Sequence, residues 1–362
     1  MPSRFKKIAQ SEYLDEIKGT VLDDFLAKGW YRMGSYIFTS HYFFRREHMY
    51  SSIWLRTRME GHRYSKSMRK IKNRGQQAFG HTITPFTHTQ ELDDLYAAYK
   101  QTFKGSIPET LEGYMMSSLD MEVFDTWMVK VYEGDKLVAC SLVDLGDEAM
   151  ASIFAFYDPS YQAYSLGLYT MILEVEHCRE MGLAYYYMGY FMPGNSRFDY
   201  KLRVGNMEFW DVRSEAWRSM DAYDYGATPL HVIRDRLTTL VSDLPPAYGS
   251  FLVKNAYIDA NIIEFFPFRY LEYPMAVLIP DIIVELEEKD QLIVCYDYKV
   301  DKYKLLLCHE LTDVFSNYDP IFLATLPDDY LIEQYEIKKT LKSSKTTAPI
   351  LRQLAALDKQ KS

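Results

Sequence analysis

The sequence predicts a mixed α+β (mixed α/β) protein, and three observations carry that expectation. Between Thr126 and Tyr190, strand-like runs surround a single long helical pattern. Elsewhere helical spacing and short strands interleave with no internal repeat. The 362 residues are 48% apolar and 25% charged, which fits a folded chain with a sizeable core and excludes a disordered or low-complexity one.

Taken in order, residues 12–28 (Glu12 to Lys28) read as a helix, with Leu14, Ile17, Val21, Leu22, Phe25 and Leu26 on one stripe and Gly29 as its stop. Trp30-Tyr31-Arg32-Met33-Gly34 and Ser35-Tyr36-Ile37-Phe38 read as a strand pair around glycine, and Ser51–Arg58 as another strand. Helical spacing returns over 91–103 through Leu92, Leu95, Tyr96 and Tyr99. Trp127–Tyr132 and Leu137–Asp144 are strands joined by the turn Glu133-Gly134-Asp135-Lys136. Ala149–Tyr157 is a third strand, closed by Asp158-Pro159. Ser165 is placed to N-cap a helix bearing Leu168, Ile172, Val175 and Cys178, with Gly182 at its C′ position. Ala184–Tyr190 is the fourth strand. Three antiparallel strands, a helix and a further strand form the central part of the GNAT acyltransferase topology.

Residues 223–362 differ in character, with Leu244-Pro245-Pro246 as a break near their start. Strands are expected at Met275–Leu278, Ile282–Leu286, Gln291–Tyr296 and Lys304–Cys308. Lys338–Ser362 reads as a basic, polar, partly disordered tail in which Ile350–Leu357 forms a short helix. The expected division is a basic N-terminal module (1–89), a GNAT-like catalytic domain (90–222) and an extra C-terminal α/β domain (223–362).

Charge is distributed unevenly. Residues 1–75 carry 16 Lys+Arg against 7 Asp+Glu, whereas 76–222 carry 10 against 22 and 223–362 carry 15 against 21. A basic first segment on an acidic protein suggests a face built for an anion, often nucleic acid. No apolar run approaches the roughly 20 residues of a membrane span, and the opening Met1-Pro2-Ser3-Arg4-Phe5-Lys6-Lys7 lacks the apolar core of a signal peptide. Cys140, Cys178, Cys295 and Cys308 form no Cys-x-x-Cys pair, so neither a disulfide scaffold nor a clustered zinc site is indicated, and cytoplasm is the expected compartment. His41, His48 and His62 lack cysteine companions, and no metal is expected.

Six blocks and a Tyr-Lys pair resemble one family, the arginyl-tRNA–protein transferases and the bacterial leucyltransferases that act on acidic N-termini. Phe156-Tyr157-Asp158-Pro159, Ser165-Leu166-Gly167-Leu168-Tyr169 and Tyr185-Tyr186-Tyr187-Met188-Gly189-Tyr190 are similar to its F-Y-D-P, S-L-G-x-Y and Y-x-Y-L-G-Y. Tyr200-Lys201 follows at the distance of the family's Tyr-Lys pair. Upstream, Gly29-Trp30-Tyr31-Arg32-Met33-Gly34, Ser65-Lys66-Ser67-Met68-Arg69-Lys70 and Leu95-Tyr96-Ala97-Ala98-Tyr99 resemble G-W-R-R-S-G, S-K/R-S-Q-K/R-K/R and L-Y-x-x-Y, so the likeness runs over about residues 22–212. Three features depart from the family. Its N-terminal Cys cluster has no counterpart, since no Cys precedes residue 140. Phe103-Lys104 stands where a His is usual, and Gly194-Asn195-Ser196-Arg197-Phe198 replaces Gly-Cys-x-Lys-Met. The resemblance implies a kept scaffold with metal or redox control lost.

The activity the resemblance implies is transfer of Arg or Leu from aminoacyl-tRNA, as co-substrate and with no cofactor, to the α-amine of a protein N-terminus, chiefly Asp or Glu, marking it for degradation by the N-end rule. Such an amine has a pKa near ~8 and the ester is already activated, so positioning and oxyanion stabilisation matter more than a nucleophile of the enzyme's own. On the family blocks, Tyr157, Ser165, Tyr187 and Tyr190 are the expected catalytic residues. Arg32, Arg197, Lys201, Asp158 and Gly189 are the expected substrate-binding ones. Arg56, Arg58, Arg63, Lys66, Arg69, Lys70, Lys72 and Arg74 place 8 cations in 19 residues, opposed by Glu60 alone. Such a stripe would neutralise tRNA phosphates, although the pattern by itself also describes a solvated face. Two rivals remain: an acyl-CoA-dependent N-acyltransferase, disfavoured because Ser165 replaces the first glycine of the phosphate loop in Gln162-Ala163-Tyr164-Ser165-Leu166-Gly167, and a non-catalytic tRNA- or protein-binding relative.

Overall fold

Aromatic and β-branched runs separated by glycine turns put much of this chain into strands. The computed structural model describes residues 9–45, 48–103, 107–115, 123–245, 252–256, 275–278, 289–311, 330–331 and 333–359. In chain order the strands are β1 (Ala9–Glu12), β2 (Tyr31–Met33), β3 (Tyr36–Ser40), β4 (Tyr42–Arg45), β5 (His48–Ser51), β6 (Ile53–Arg58), β7 (Gly80–Pro85), β8 (Thr126–Glu133), β9 (Lys136–Leu145) and β10 (Ala149–Tyr157). They continue as β11 (Tyr185–Phe191), β12 (Met207–Asp211), β13 (Ala216–Ser219), β14 (Leu252–Ala256), β15 (Met275–Leu278), β16 (Asp290–Asp297), β17 (Lys302–Leu311), β18 (Tyr330–Leu331) and β19 (Gln334–Ser344). The helices are α1 (Gly19–Leu26), α2 (Lys66–Ala78), α3 (Gln90–Thr102), α4 (Leu111–Met115), α5 (Leu166–Glu180), α6 (Pro229–Ser242) and α7 (Thr347–Lys359).

The chain divides into two compact units. One comprises residues 11–39 and 53–223; the other gathers the described parts of 1–10, 40–52 and 224–362. In the first, eight strands run in the order β13-β12-β6-β11-β10-β9-β8-β7. The segment 1–89, read from its charge as a module of its own, supplies β6 and β7 to this sheet, because charge marks the surface and not which strands pair. The apolar side chains of α5, with Met68 and Ile71 of α2, cover one face. Those of α3 and α4 cover the other with Met128, Leu142 and Phe156. Close packing of α2 on α5 depends on Gly75, where a Cβ would stand 2.3 Å from the Tyr169 ring.

β8, β9 and β10 are antiparallel, and α5 carries the chain over to β11, parallel to β10. That parallel pairing lasts only from Ala149↔Tyr185 to Ala151↔Tyr187. Beyond it, β10 follows β9 to Tyr157 while β11 follows β6 to Phe191. Register shifts between Ser152 and Phe154 on β10 and between Tyr187 and Gly189 on β11 fall at the level where the strands part. The result is a GNAT-like core with a wedge between its two central strands.

The second unit holds a six-stranded sheet, β18-β14-β15-β16-β17-β19. Leu230, Ile233, Leu237 and Leu240 of α6, with Ile350 and Leu354 of α7, pack on Val294, Tyr296, Tyr303 and Leu305. Tyr42 of the β4–β5 hairpin is buried in the same cluster, and the Leu230 amide donates to Ser51 Oγ at 3.1 Å.

Several expectations need correction. The first helix spans Gly19–Leu26, not 12–28: Gly19 takes φ +49°, which a continuous helix cannot pass, and Glu12 lies in β1. Ser165 is not an ordinary N-cap. It has φ 58° and ψ 48°, closes the 3₁₀ turn Pro159–Tyr164, and makes no side-chain capping bond. Lys338–Ser344 is strand and Thr347–Lys359 helix, not a loose tail: Tyr335 and Ile337 are buried while Lys338 reaches Asp290 at 3.1 Å. The expected strand Ile282–Leu286 lies outside the described residues.

Candidate functional site

After β11 the chain forms a 3₁₀ turn, Ser196–Arg203, capped by Asn195 and carrying Lys201 back against the strand. Lys201 Nζ donates to the Tyr190 carbonyl at 3.1 Å and lies 5.4 Å and 5.7 Å from the ring centroids of Tyr190 and Phe198. Gly189 makes this approach possible. Its φ is +80°, and a Cβ there would stand 3.1 Å from Lys201 Nζ and 3.6 Å from the Tyr31 ring. Among the described residues no carboxylate pairs with Lys201, and burial pushes its pKa down to about 7.

Phenols surround this amine. Tyr31, Tyr114, Tyr190 and Tyr200 lie within electrostatic reach of one another, and Tyr99 and Tyr157 continue the series with ring centroids 5.3 Å apart. Tyr31 donates to the Tyr187 carbonyl at 3.4 Å. Burial raises the pKa of Tyr31 and Tyr114, and that of Tyr99 to about 12, so at neutral pH these are hydrogen-bond donors. Tyr157 lies at the first turn of α5, where a Cβ on Gly167 would meet its ring at 3.7 Å. Ser165, held in the left-handed region by that turn, stores local strain of about 1 kcal/mol. Such a chamber can hold an anion at Lys201 and offer neutral donors to developing negative charge.

Other residues singled out in the sequence are engaged elsewhere. Arg32 is buried, with Nη1 donating to Asp144 at 2.7 Å and Thr126 at 2.8 Å, so it closes a buried pair and does not wait for a substrate carboxylate. Tyr187 donates nothing to the wedge: its hydroxyl takes a 3.1 Å bond from Arg56, and burial pushes its pKa up to about 12. Arg56 is itself buried, bonded to Glu208 at 2.7 Å and stacked on Tyr185 and Trp217, which removes it from any phosphate surface. Asp158 caps Ser160 and pairs with Lys136 at 2.8 Å, bonds that hold its carboxyl down at about 2. Arg197 is exposed over the Phe103 ring, 5.2 Å away.

The basic stripe divides likewise. Arg58 pairs with Glu60 at 2.7 Å, Lys72 pairs with Glu176, and Arg74 donates to the Ala163 carbonyl at 2.6 Å. Arg63, Lys66, Arg69 and Lys70 are exposed and have no acidic partner among the described residues. Ser65 caps their helix by accepting from the Met68 amide. No group of three or more His, Cys, Asp or Glu able to hold a metal occurs among the described residues. No described helix is long and apolar enough to cross a membrane.

One residue escaped the sequence reading. Glu174 of α5 is fully buried beneath β11, and Tyr186 donates to its Oε2 at 2.6 Å. Its signal was an acid on the same helical stripe as Cys178, four residues on.

A strand wedge fed by a crossover helix, lined with neutral donors and one amine, defines an acyltransferase-type site. The model for "Arginine-tRNA-protein transferase, C terminus" matches residues 91–211, and over this segment the chain is similar to that family of aminoacyltransferases, at modest identity. The aspartate/glutamate leucyltransferase of Acinetobacter baumannii is 23% identical over 192 residues, 52% of this chain and 68% of the relative. That of Phenylobacterium zucineum is 28% identical over 168 residues, 44% and 65% respectively. That of Caulobacter vibrioides is 31% identical over 114 residues, 31% and 40%.

Proposed function

We propose that the protein moves an amino acid, Leu or Arg, from charged tRNA to the α-amine of a protein N-terminus beginning with Asp or Glu. The observation that carries this reading is Lys201: an amine at the wedge, packed against Gly189, with no carboxylate partner among the described residues. An acidic N-terminal side chain supplies the missing partner. Its arrival favours the charged amine, so acceptor binding takes up a proton above pH 7. With the side chain held, the neutral α-amine attacks the ester carbonyl, the C–N bond forms, and the bond to the ribose oxygen breaks as the amine's proton passes to that oxygen. Tyr157 and Tyr190, from the family blocks, are the expected donors to the developing charge, and the phenolic walls exclude water from it. The exposed cations Arg63, Lys66, Arg69 and Lys70 take tRNA phosphates. Cytoplasm, where charged tRNA is made, suits this reading.

The test is incubation with charged tRNA pools and peptides bearing each N-terminal residue, read by mass spectrometry. The expected product is an Asp- or Glu-initiated peptide extended by one residue. Equal use of Ala- or Leu-initiated peptides removes the acidic acceptor, and no extension with any pairing removes the transferase.

A further inference from the structure

A carboxylate taken out of water is normally met by a cation or by several donors. Asp144 obeys that rule, with Arg32 and Thr126 at hydrogen-bond distance. Glu174 has donors but, among the described residues, no cation. It is fully buried between α5 and the sheet, its Oε2 accepts from Tyr186, and Ser141 and Ser152 stand within reach as further donors, although neither its Oε1 nor the Ser141 hydroxyl closes to hydrogen-bond distance of a partner among the described residues. The groups that face it are Cys178 on its own helix, Cys140 and Ser141 from β9, Ser152 from β10, Tyr186 from β11, Tyr31 from β2 and Tyr200 from the 3₁₀ turn. No cation is among them. Burial raises its pKa to about 7, and the nearby donors only partly oppose this.

Position supports a role beyond packing. Tyr186 pairs with Met150 within the last three rungs before β10 and β11 separate, and Ser152 opens the β10 register shift at the same level. Glu174 therefore grips the hinge of the wedge from behind. On its open side Tyr31 stands beside Gly189 and Lys201.

We propose that Glu174 is a positioning residue of the transfer site: ionised, it holds Tyr186 and, through it, the β11 side of the wedge against which Gly189 and Lys201 pack. The inference rests on the transferase reading above. Protonation of Glu174 relaxes the grip, so transfer loses rate as pH falls through neutrality.

Glu174→Gln keeps the size of the side chain and an acceptor for Tyr186 but removes the charge. In the full-length protein it is expected to lower kcat about ten-fold at pH 8, leave KM for the acceptor peptide and tRNA affinity unchanged, and remove the second, steeper fall of rate below about pH 7 while leaving the limb set by the acceptor amine itself. A folded Glu174→Gln protein with unchanged kcat and profile overturns the proposal. If that variant does not fold, Tyr186→Phe serves: losing the donor makes the anion harder to form, so the steeper fall moves to higher pH, and an unmoved fall overturns the proposal equally. Carbon-13 NMR of glutamate-labelled protein needs no activity. A carboxyl titrating near neutrality in the wild type and missing from Glu174→Gln supports the buried acid, while glutamates that all titrate below about pH 5.5 overturn it. If that carboxyl is present and no charged tRNA and peptide yield product, the transferase reading fails by itself.

Discussion

Two cations press on β11 from different neighbours, and they are provided for in opposite ways. Arg56, arriving from β6, has Glu208, the Tyr187 hydroxyl and the faces of Tyr185 and Trp217. Lys201, arriving from the turn after β11, has one backbone carbonyl and the rings of Tyr190 and Phe198 at 5.4 and 5.7 Å. The first is saturated and fixes the sheet; the second is desolvated and incomplete. A buried charge whose partners are all present belongs to the fold, and one whose partner is missing points to a ligand. The same contrast separates Asp144, paired with Arg32, from Glu174, which has no cation beside it among the described residues.

That contrast can be broken by measurement. Arg56→Ala should be the most damaging change, leaving Glu208 and Tyr187 without their partner and costing about 4 kcal/mol, seen as a large fall in denaturation midpoint. A loss of stability no greater than that of a surface substitution would make the aromatic cage incidental. Next, Glu174→Gln should stabilise the protein while it impairs transfer. The folded pKa of Glu174 lies above its unfolded value, so the native state binds the extra proton between about pH 4.5 and 7 and loses relative stability across that window. At pH 8 the variant should therefore be more stable by about 3 kcal/mol, and below pH 4.5 the two should converge. Equal stability at both pH values would show that the acid is solvated.

Lys201→Ala should reduce turnover of Asp- and Glu-initiated peptides about ten- to hundred-fold while sparing tRNA binding, since a charge-assisted contact is worth roughly 1.5–3 kcal/mol. Full activity in this variant would leave Lys201 as packing. Its pH dependence runs opposite to that of Glu174: a lysine with a lowered folded pKa costs stability below about pH 7 and returns it as pH climbs toward 10.5. Smallest is the surface effect. Reversing Arg69 and Lys70 to Glu should weaken tRNA binding by about ten-fold at low salt, with a shallower salt slope and an unchanged melting temperature. Unaltered affinity would mark α2 as a solvated face.

Much of the central sheet was legible because its punctuation is local. Gly134 turns β8 into β9 with φ +59°, and Gly182 ends α5 with φ +72°, so the strands between them fall within a residue or two of their expected ends. Signals that depend on the third dimension were not legible. An apolar stripe through Ile17 suggested helix, yet Ile17 is buried outside any helix and its amide bonds the Val123 carbonyl at 2.7 Å, across the fold. Arg32 sits in a matched motif, and only tertiary structure shows it closed onto Asp144. Lys201 and Gly189 could be singled out because motif order placed them one after the other, and the fold brings them together. Glu174 stayed hidden because an acid inside a helical pattern ordinarily reads as its wet side.

The hairpin of β4 and β5 sets an order of events during synthesis. It leaves the ribosome early, but the side chains that enclose Tyr42 begin only at Leu230. At roughly 5–20 residues per second, on the order of ten to forty seconds pass before those partners exist. For that interval an aromatic two-stranded ribbon waits with its inner face bare, the kind of surface that nascent-chain chaperones bind, while residues 53–223 can already be forming their own sheet.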